Sequence, residues 1–164
     1  MKKNTLLLCL LLSMAAYQSF GQLPAVTIKN IEGKSIRTDT LNNNGKPFII
    51  SFFALWCKPC LRELNAINEV YEEWQEETGV KIVAVSVDEG QNSDKVAPSV
   101  NGNGWSYEVL LDNNKEFMRE MNVTLIPCLF IIDGNNKVVM RKSSYTDGSE
   151  QELIVEIRKL LKKK

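Results

Sequence analysis

From Pro47 to Leu55 the chain reads PFIISFFAL, and the next five residues are Trp56-Cys57-Lys58-Pro59-Cys60. An apolar run of this length, preceded by the turn-forming Asn42-Asn43-Asn44-Gly45, is the pattern of a strand buried on both faces. Beyond it, Leu61, Leu64, Ile67, Val70 and Trp74 recur every three or four residues, which is one face of a helix that Gly79 is placed to end. A strand buried on both faces needs a packed layer on each side. It commits the chain to a layered domain around a sheet, with the C-x-x-C at the junction of strand and helix.

The remaining pattern extends that plan. Leu23 to Ile36 reads as an edge hairpin turning at Gly33, and Val80 to Val87 as a second buried strand. Residues 88–104 are polar, with a short helix expected around Asp94–Val100. Trp105 to Leu111 reads as a strand and Asn114 to Met121 as a short helix that Asn122 ends. Leu129–Ile132 and Val138–Met140 flank Asp133-Gly134-Asn135-Asn136, a hairpin. Ser149-Glu150-Gln151-Glu152 is a capping-box pattern opening a last helix, with Leu153, Ile157, Leu160 and Leu161 expected to face inward. Strands alternating with helices, closed by a hairpin and helix, predict an α/β fold with a mixed sheet.

The first 21 residues do not fit this plan. Lys2 and Lys3 precede an apolar run from Leu6 to Ala16, and Ser19 and Gly21 are small residues ahead of Gln22. This is a secretory signal pattern, too short to span a bilayer, with cleavage expected near Gly21–Gln22. The expected domains are therefore a signal peptide at 1–21 and one folded domain at 22–164. Export places the cysteines where disulfides can form.

Composition excludes several functions. The 164 residues carry 20 Lys+Arg against 20 Asp+Glu and no histidine. A balanced charge argues against a nucleic-acid partner. Without imidazole there is no Ser-His or Cys-His pair and no His-ligated metal. Tetrahedral zinc needs four ligands, and Cys57, Cys60 and Cys128 fall short of that, so no metal or other cofactor is expected. The acidic run Glu69, Glu72, Glu73, Glu76 and Glu77 reads as a solvated helix face.

The chemistry is expected at the dithiol. A strand feeding a helix puts Cys57 at the helix N-terminus, where unpaired N–H groups and the helix dipole stabilise a negative sulfur. Thiols so placed have pKa values lowered from ~8.5 toward ~3.5–7.5, and the thiolate is the nucleophile. Pro59 is tolerated in the first turn, where its missing N–H costs no hydrogen bond. Lys58 adds positive charge. Cys57 should be the more exposed sulfur, with Cys60 one turn behind it to resolve a mixed disulfide. A purely structural bridge is a poor alternative, because so small a loop stabilises little by closure.

Ser51-Phe52-Phe53-Ala54-Leu55-Trp56-Cys57-Lys58-Pro59-Cys60 resembles the thioredoxin active-site strand and turn, and more closely the exported TlpA/ResA-type thiol–disulfide oxidoreductases. The resemblance runs from Leu23 to the last helix. It includes Leu23-Pro24 before the hairpin, the C-x-x-E continuation to Glu63, and Val123-Thr124-Leu125-Ile126-Pro127 before a strand and Asp133-Gly134. It implies a thioredoxin-like fold with an N-terminal hairpin and an inserted strand and helix around 88–111. It also implies a cis Ile126–Pro127 bond facing the dithiol, with Ile126 offering its backbone to the target; a trans proline in a loop is the alternative. The implied activity is reduction of disulfide-containing protein substrates in the periplasm, by a monomer fed from a membrane or periplasmic thiol donor. Some relatives reduce the haem-attachment cysteines of apocytochrome c.

The sequence departs from the pattern in places. Thioredoxins place a buried acid where Ser51 stands, so the resemblance moves the proton-transfer role to Glu63; a solvated helix charge is the competing reading. Asn65 stands where a helix-kinking proline is usual, which predicts a straighter helix. Cys128 reads as a small buried core residue, with a third regulatory thiol as the alternative. Two other classes of function compete. A thiol peroxidase of peroxiredoxin type needs Thr or Ser where Ala54 sits. A copper chaperone on the same fold needs a histidine with the two cysteines, and a non-enzymatic binding module would not need both cysteines.

Overall fold

The computed structural model describes residues 22–162; the expected signal peptide lies outside them. In chain order these residues form β1 (Thr27–Asn30), β2 (Ser35–Arg37), a 3-10 turn (Thr38–Thr40), β3 (Phe48–Phe53), α1 (Lys58–Thr78) and β4 (Lys81–Ser86). A 3-10 turn (Gly90–Lys95) then runs into α2 (Val96–Asn103), followed by β5 (Glu108–Leu111), α3 (Glu116–Glu120), β6 (Cys128–Ile132), β7 (Val138–Ser143) and α4 (Gln151–Lys162). The strands make one sheet in the order β2-β1-β5-β4-β3-β6-β7. β3, β4 and β5 are parallel neighbours, and the remaining pairings are antiparallel. This is the mixed sheet expected from the sequence.

Every residue of β3 is buried, as its unbroken apolar run requires. Phe48, Phe52 and Phe53 are fully buried, and each such side chain contributes roughly 1.5–3 kcal/mol. Alternation sorts the faces. Ser51 bonds to Glu63 of α1, so α1 covers the face of Ser51 and Phe53. Phe52 points the other way and meets Phe117 of α3 at 5.3 Å between ring centres. The helix α1 runs unbroken for 21 residues and ends on Gly79, whose φ of 68° is the left-handed cap expected of it. Asn65 thus leaves the helix continuous, and its Oδ1 accepts the Trp105 indole N–H at 2.7 Å.

Boundaries moved where side chains preferred another partner. The expected strand at Trp105 begins only at Glu108, because Trp105 and Tyr107 turn onto α1. Trp105 packs edge-on against Phe53, and the Tyr107 hydroxyl donates to Leu64 O. The expected helix at 94–100 is a 3-10 turn followed by Val96–Asn103. The capping box at α4 does not form. Ser149 Oγ accepts from Thr146 N–H, and Glu152 bonds Lys142 instead. Ile154 joins Leu153 and Ile157 in the core, while Leu160 and Leu161 are only partly buried.

Two contacts tie the periphery down. Thr38, fully buried, accepts Val26 N–H at 3.0 Å and donates to Pro24 O, which pins the N-terminal segment to the sheet. In the β6–β7 turn, a Cβ on Gly134 would stand 2.1 Å from Gly45 O, so only glycine allows this approach to the loop before β3. A cleft there is lined by Gly45, Pro47, Gly134, Leu160 and Leu161.

Candidate redox site

The register of β3 assembles the site. Its C-terminal end delivers the turn 54–57, closed by Cys57 N–H donating to Ala54 O at 3.0 Å. On the antiparallel neighbour, Cys128 stands opposite Phe52, so Pro127 arrives at the same sheet end as the turn. The Ile126–Pro127 bond is cis. Trp56 and Leu125 project outward, 64% and 76% exposed, and are the most exposed large apolar side chains among the described residues. The outward Leu125 was not singled out from the sequence; its place two residues before Pro127 was the available signal.

Cys57 is the N-cap of α1. Lys58 and Pro59 form the first turn, and Cys60 N–H donates to Cys57 Sγ at 3.3 Å. The two cysteines are joined as a disulfide. Cys57 retains 5% of its surface and Cys60 none, the order expected of an outer and an inner sulfur. The Cys60 N–H is one of those a helix leaves unpaired at its start, and its approach to the outer sulfur, with the helix dipole, favours negative charge there.

Glu63 lies one turn beyond Cys60 and is 2% exposed, so it is not a solvated helix charge. Its Oε2 accepts from Ser51 Oγ at 3.3 Å. Burial pushes its carboxyl up to about 7, opposed by the Ser51 hydrogen bond and by Lys142, and reinforced by Glu150. Ser51, at the position where the resemblance implies an acid, is thus the hydrogen-bond partner of the acid supplied by α1.

Two features at this end of the sheet were not read from the sequence. Asp88 follows β4 and is 1% exposed. Its Oδ2 accepts Leu55 N–H and the Ser86 hydroxyl, each at 2.9 Å, which anchors the turn leading to Cys57. Its Oδ1 is buried without a hydrogen-bond partner among the described residues. The second is Lys142 on β7, whose influence on Glu63 depends on strand register, beyond the reach of local pattern.

Cys128 is fully buried and free. Opposed residues share a face, so Cys128 lies with Phe52 on the α3 side, away from α1. Its sulfur accepts from Ser143 Oγ at 3.7 Å. This is the core-residue reading. Of the acidic run, Glu77 makes a two-bond ion pair with Arg158 of α4, at 2.7 and 2.6 Å, and the other four are exposed without clustering for a metal.

The profile of the AhpC/TSA family matches residues 21–141. The chain belongs to the AhpC/TSA family. It is similar to the thiol–disulfide oxidoreductase ResA of Bacillus thuringiensis (strain Al Hakam), 33% identical over 157 residues and covering 85% of this chain and 88% of that protein. Among solved structures it is similar to a thioredoxin-like protein from Porphyromonas gingivalis. That match has 61% identity and a TM-score of 0.77, and covers 88% of this chain and 95% of the other. StoA from Bacillus subtilis matches with 25% identity and a TM-score of 0.64, over 81% and 97% of the two chains. The fold is thioredoxin-like, and with its C-x-x-C pair this member of the family is a thiol–disulfide oxidoreductase. The peroxidase alternative has less support, since Ala54 still stands where its chemistry needs a hydroxyl.

Proposed function

We propose that the protein is an exported, periplasmic protein-disulfide reductase in which Cys57 is the nucleophile, Cys60 the resolving thiol and Glu63 the proton carrier. The observation that carries this reading is Cys57 at the N-cap of α1, with Cys60 N–H directed at its sulfur at 3.3 Å.

In the reduced protein the Cys57 thiolate attacks one sulfur of a substrate disulfide. A mixed disulfide forms and the other substrate thiolate leaves. The Cys60 thiol must then lose its proton, and its thiolate attacks Cys57 Sγ. The Cys57–Cys60 disulfide closes and the second substrate thiol is released. Two electrons pass from the dithiol to the substrate, and a thiol donor restores the dithiol. Glu63, buried one turn beyond Cys60 with its carboxyl raised to about 7, is suited to take that proton near neutral pH. Ile126, next to the cis bond, offers main-chain groups to an extended substrate segment, a mode that holds a peptide with little regard to its sequence. Trp56 and Leu125 supply apolar surface beside it.

Alkylation at pH 7 tests the central claim. Cys57 in the reduced protein should react faster than a model thiol, Cys57→Ser should abolish insulin-type disulfide reduction, and Cys60→Ser should accumulate a mixed disulfide. A Cys57 that reacts no faster than a model thiol would remove the enzymatic reading. Export is tested by intact mass: the secreted protein should begin at or near Gln22, and a mass retaining Met1–Gly21 contradicts it. The reduction potential of the couple decides direction, and a value near that of strong oxidants contradicts a reductase.

A further inference from the structure

The register of the sheet sets three residues in one row. Ser51 on β3 stands opposite Leu129 on β6, and Leu129 stands opposite Lys142 on β7. Opposed residues project to the same face, here the face covered by α1. Leu129, in the middle, is fully buried. The polar ends of the row both concern Glu63: Ser51 bonds it directly, and Lys142 attracts its charge.

Lys142 is not an ordinary edge-strand lysine spread into water. Its side chain is only 15% exposed. Its ammonium donates to Ser149 O at 2.8 Å and to Glu152 Oε2 at 2.6 Å, at the start of α4. The failed capping box of α4 is the other side of this arrangement, since Glu152 is taken by Lys142. The charged and titratable groups around Glu63 are therefore few. Lys142 comes from β7, Glu150 from the segment before α4, where it accepts from the Tyr145 hydroxyl at 3.0 Å, and Tyr107 from the segment before β5. Burial keeps Tyr107 neutral.

We propose that Lys142 is a positioning residue for the redox reaction: its ammonium, held by Ser149 O and Glu152 at the start of α4 and set in the same cross-strand row as Ser51, acts through space on the charge of the buried Glu63. This rests on Glu63 serving the dithiol as proposed above. A serine hydroxyl both donates and accepts, so Ser51 can satisfy Glu63 in either protonation state, while burial favours the neutral form and Lys142 weighs against it. The arrangement gives the exposed start of α4 a lever on proton transfer at the dithiol, because any change in the hold of Glu152 on the ammonium alters what remains for Glu63.

Titration of the Glu63 side-chain carboxyl by 13C NMR, in the oxidised protein, tests this. Lys142→Met should move the midpoint up by about half a pH unit or more, and Lys142→Arg should leave it within about 0.2 unit of the parent. Glu152→Gln frees the ammonium from its surface partner and should move the midpoint down. A lysine that merely docks α4 predicts otherwise, since Lys142→Met and Glu152→Gln break the same ion pair and should act alike. Shifts in the same direction, no shift in either, or a Lys142→Arg that behaves like Lys142→Met would overturn the inference. If Lys142→Met does not fold, Glu152→Gln decides alone, being a change at a position 64% exposed; an unmoved or raised midpoint then overturns it. The disulfide stays closed throughout, so a failure here leaves the alkylation result at Cys57 standing, and a failure there leaves this titration standing.

Discussion

Glu63 is the residue whose environment differs most from that of an ordinary helix acid. An unfolded carboxyl of this type titrates near 4.5, and burial raises the folded one to about 7. The folded protein therefore binds this proton more tightly than the unfolded chain. The stability this confers is fully present below about pH 4.5 and is lost as pH rises through 7. Glu63→Gln removes the linkage. The variant should lose that part of the pH slope and, at pH 8, be more stable than the parent by about 1–3 kcal/mol. Urea unfolding of the oxidised proteins at pH 5 and pH 8 measures this; two parallel profiles would show that Glu63 ionises freely. The sequence left Glu63 undecided because its position on α1 is fixed by period, while its burial depends on Ser51, Tyr107 and β7 closing over it. The dithiol needed no such closure. Strand, turn, Cys57, Pro59, Cys60 and helix are contiguous, so local pattern carries the whole arrangement. Asp88 and Lys142 lie 31 and 85 residues beyond Cys57, and only sheet register relates them to it.

Among the elements, β3, α1 and β4 were legible because burial and periodicity agree along each. Those that shifted are elements in which tertiary contacts compete with local preference. Trp105 and Tyr107 give up the ladder for α1, and Glu152 gives up its cap for Lys142. The short N-terminal hairpin has little core of its own and leans on Thr38. Thr38→Val keeps the shape but removes the hydroxyl that bridges Val26 N–H and Pro24 O, leaving only their own 3.2 Å bond, and should cost about 1–3 kcal/mol. Faster hydrogen exchange at Thr27–Asn30 should accompany that loss; unchanged protection there would show that the hairpin is held by other means. Gly134→Ala should be worse tolerated than its turn position suggests, because the new Cβ meets backbone at Gly45 and neither side can rotate away. A drop of more than about 2 kcal/mol is expected from equilibrium unfolding, against a fraction of that if the β6–β7 turn could simply swing outward.

Across the whole molecule, the sheet separates two kinds of thiol. The pair at Cys57 and Cys60 sits at the sheet end on the α1 side, and Cys128 sits under α3 on the other. Cys128 is enclosed by β3, β6 and β7, so no small local opening exposes it. In the oxidised protein lacking residues 1–21 a thiol reagent should find one slow group. Its labelling rate should rise with urea along the same slope as global unfolding, as for a site exposed only when the domain opens. Labelling at a urea-independent rate would instead reveal a local path to that sulfur. The same geometry keeps the two ends of β3 apart. Six residues at ~3.3 Å each separate the redox turn from the Gly45 loop, and the cleft at the far end is shared with Leu160 and Leu161 of α4. A cargo, an electrode linker or a bead attached after α4 would thus hang from the pole opposite Trp56, leaving the reactive pole clear for visiting proteins, whereas the same attachment in the segment before Pro127 would stand in their way.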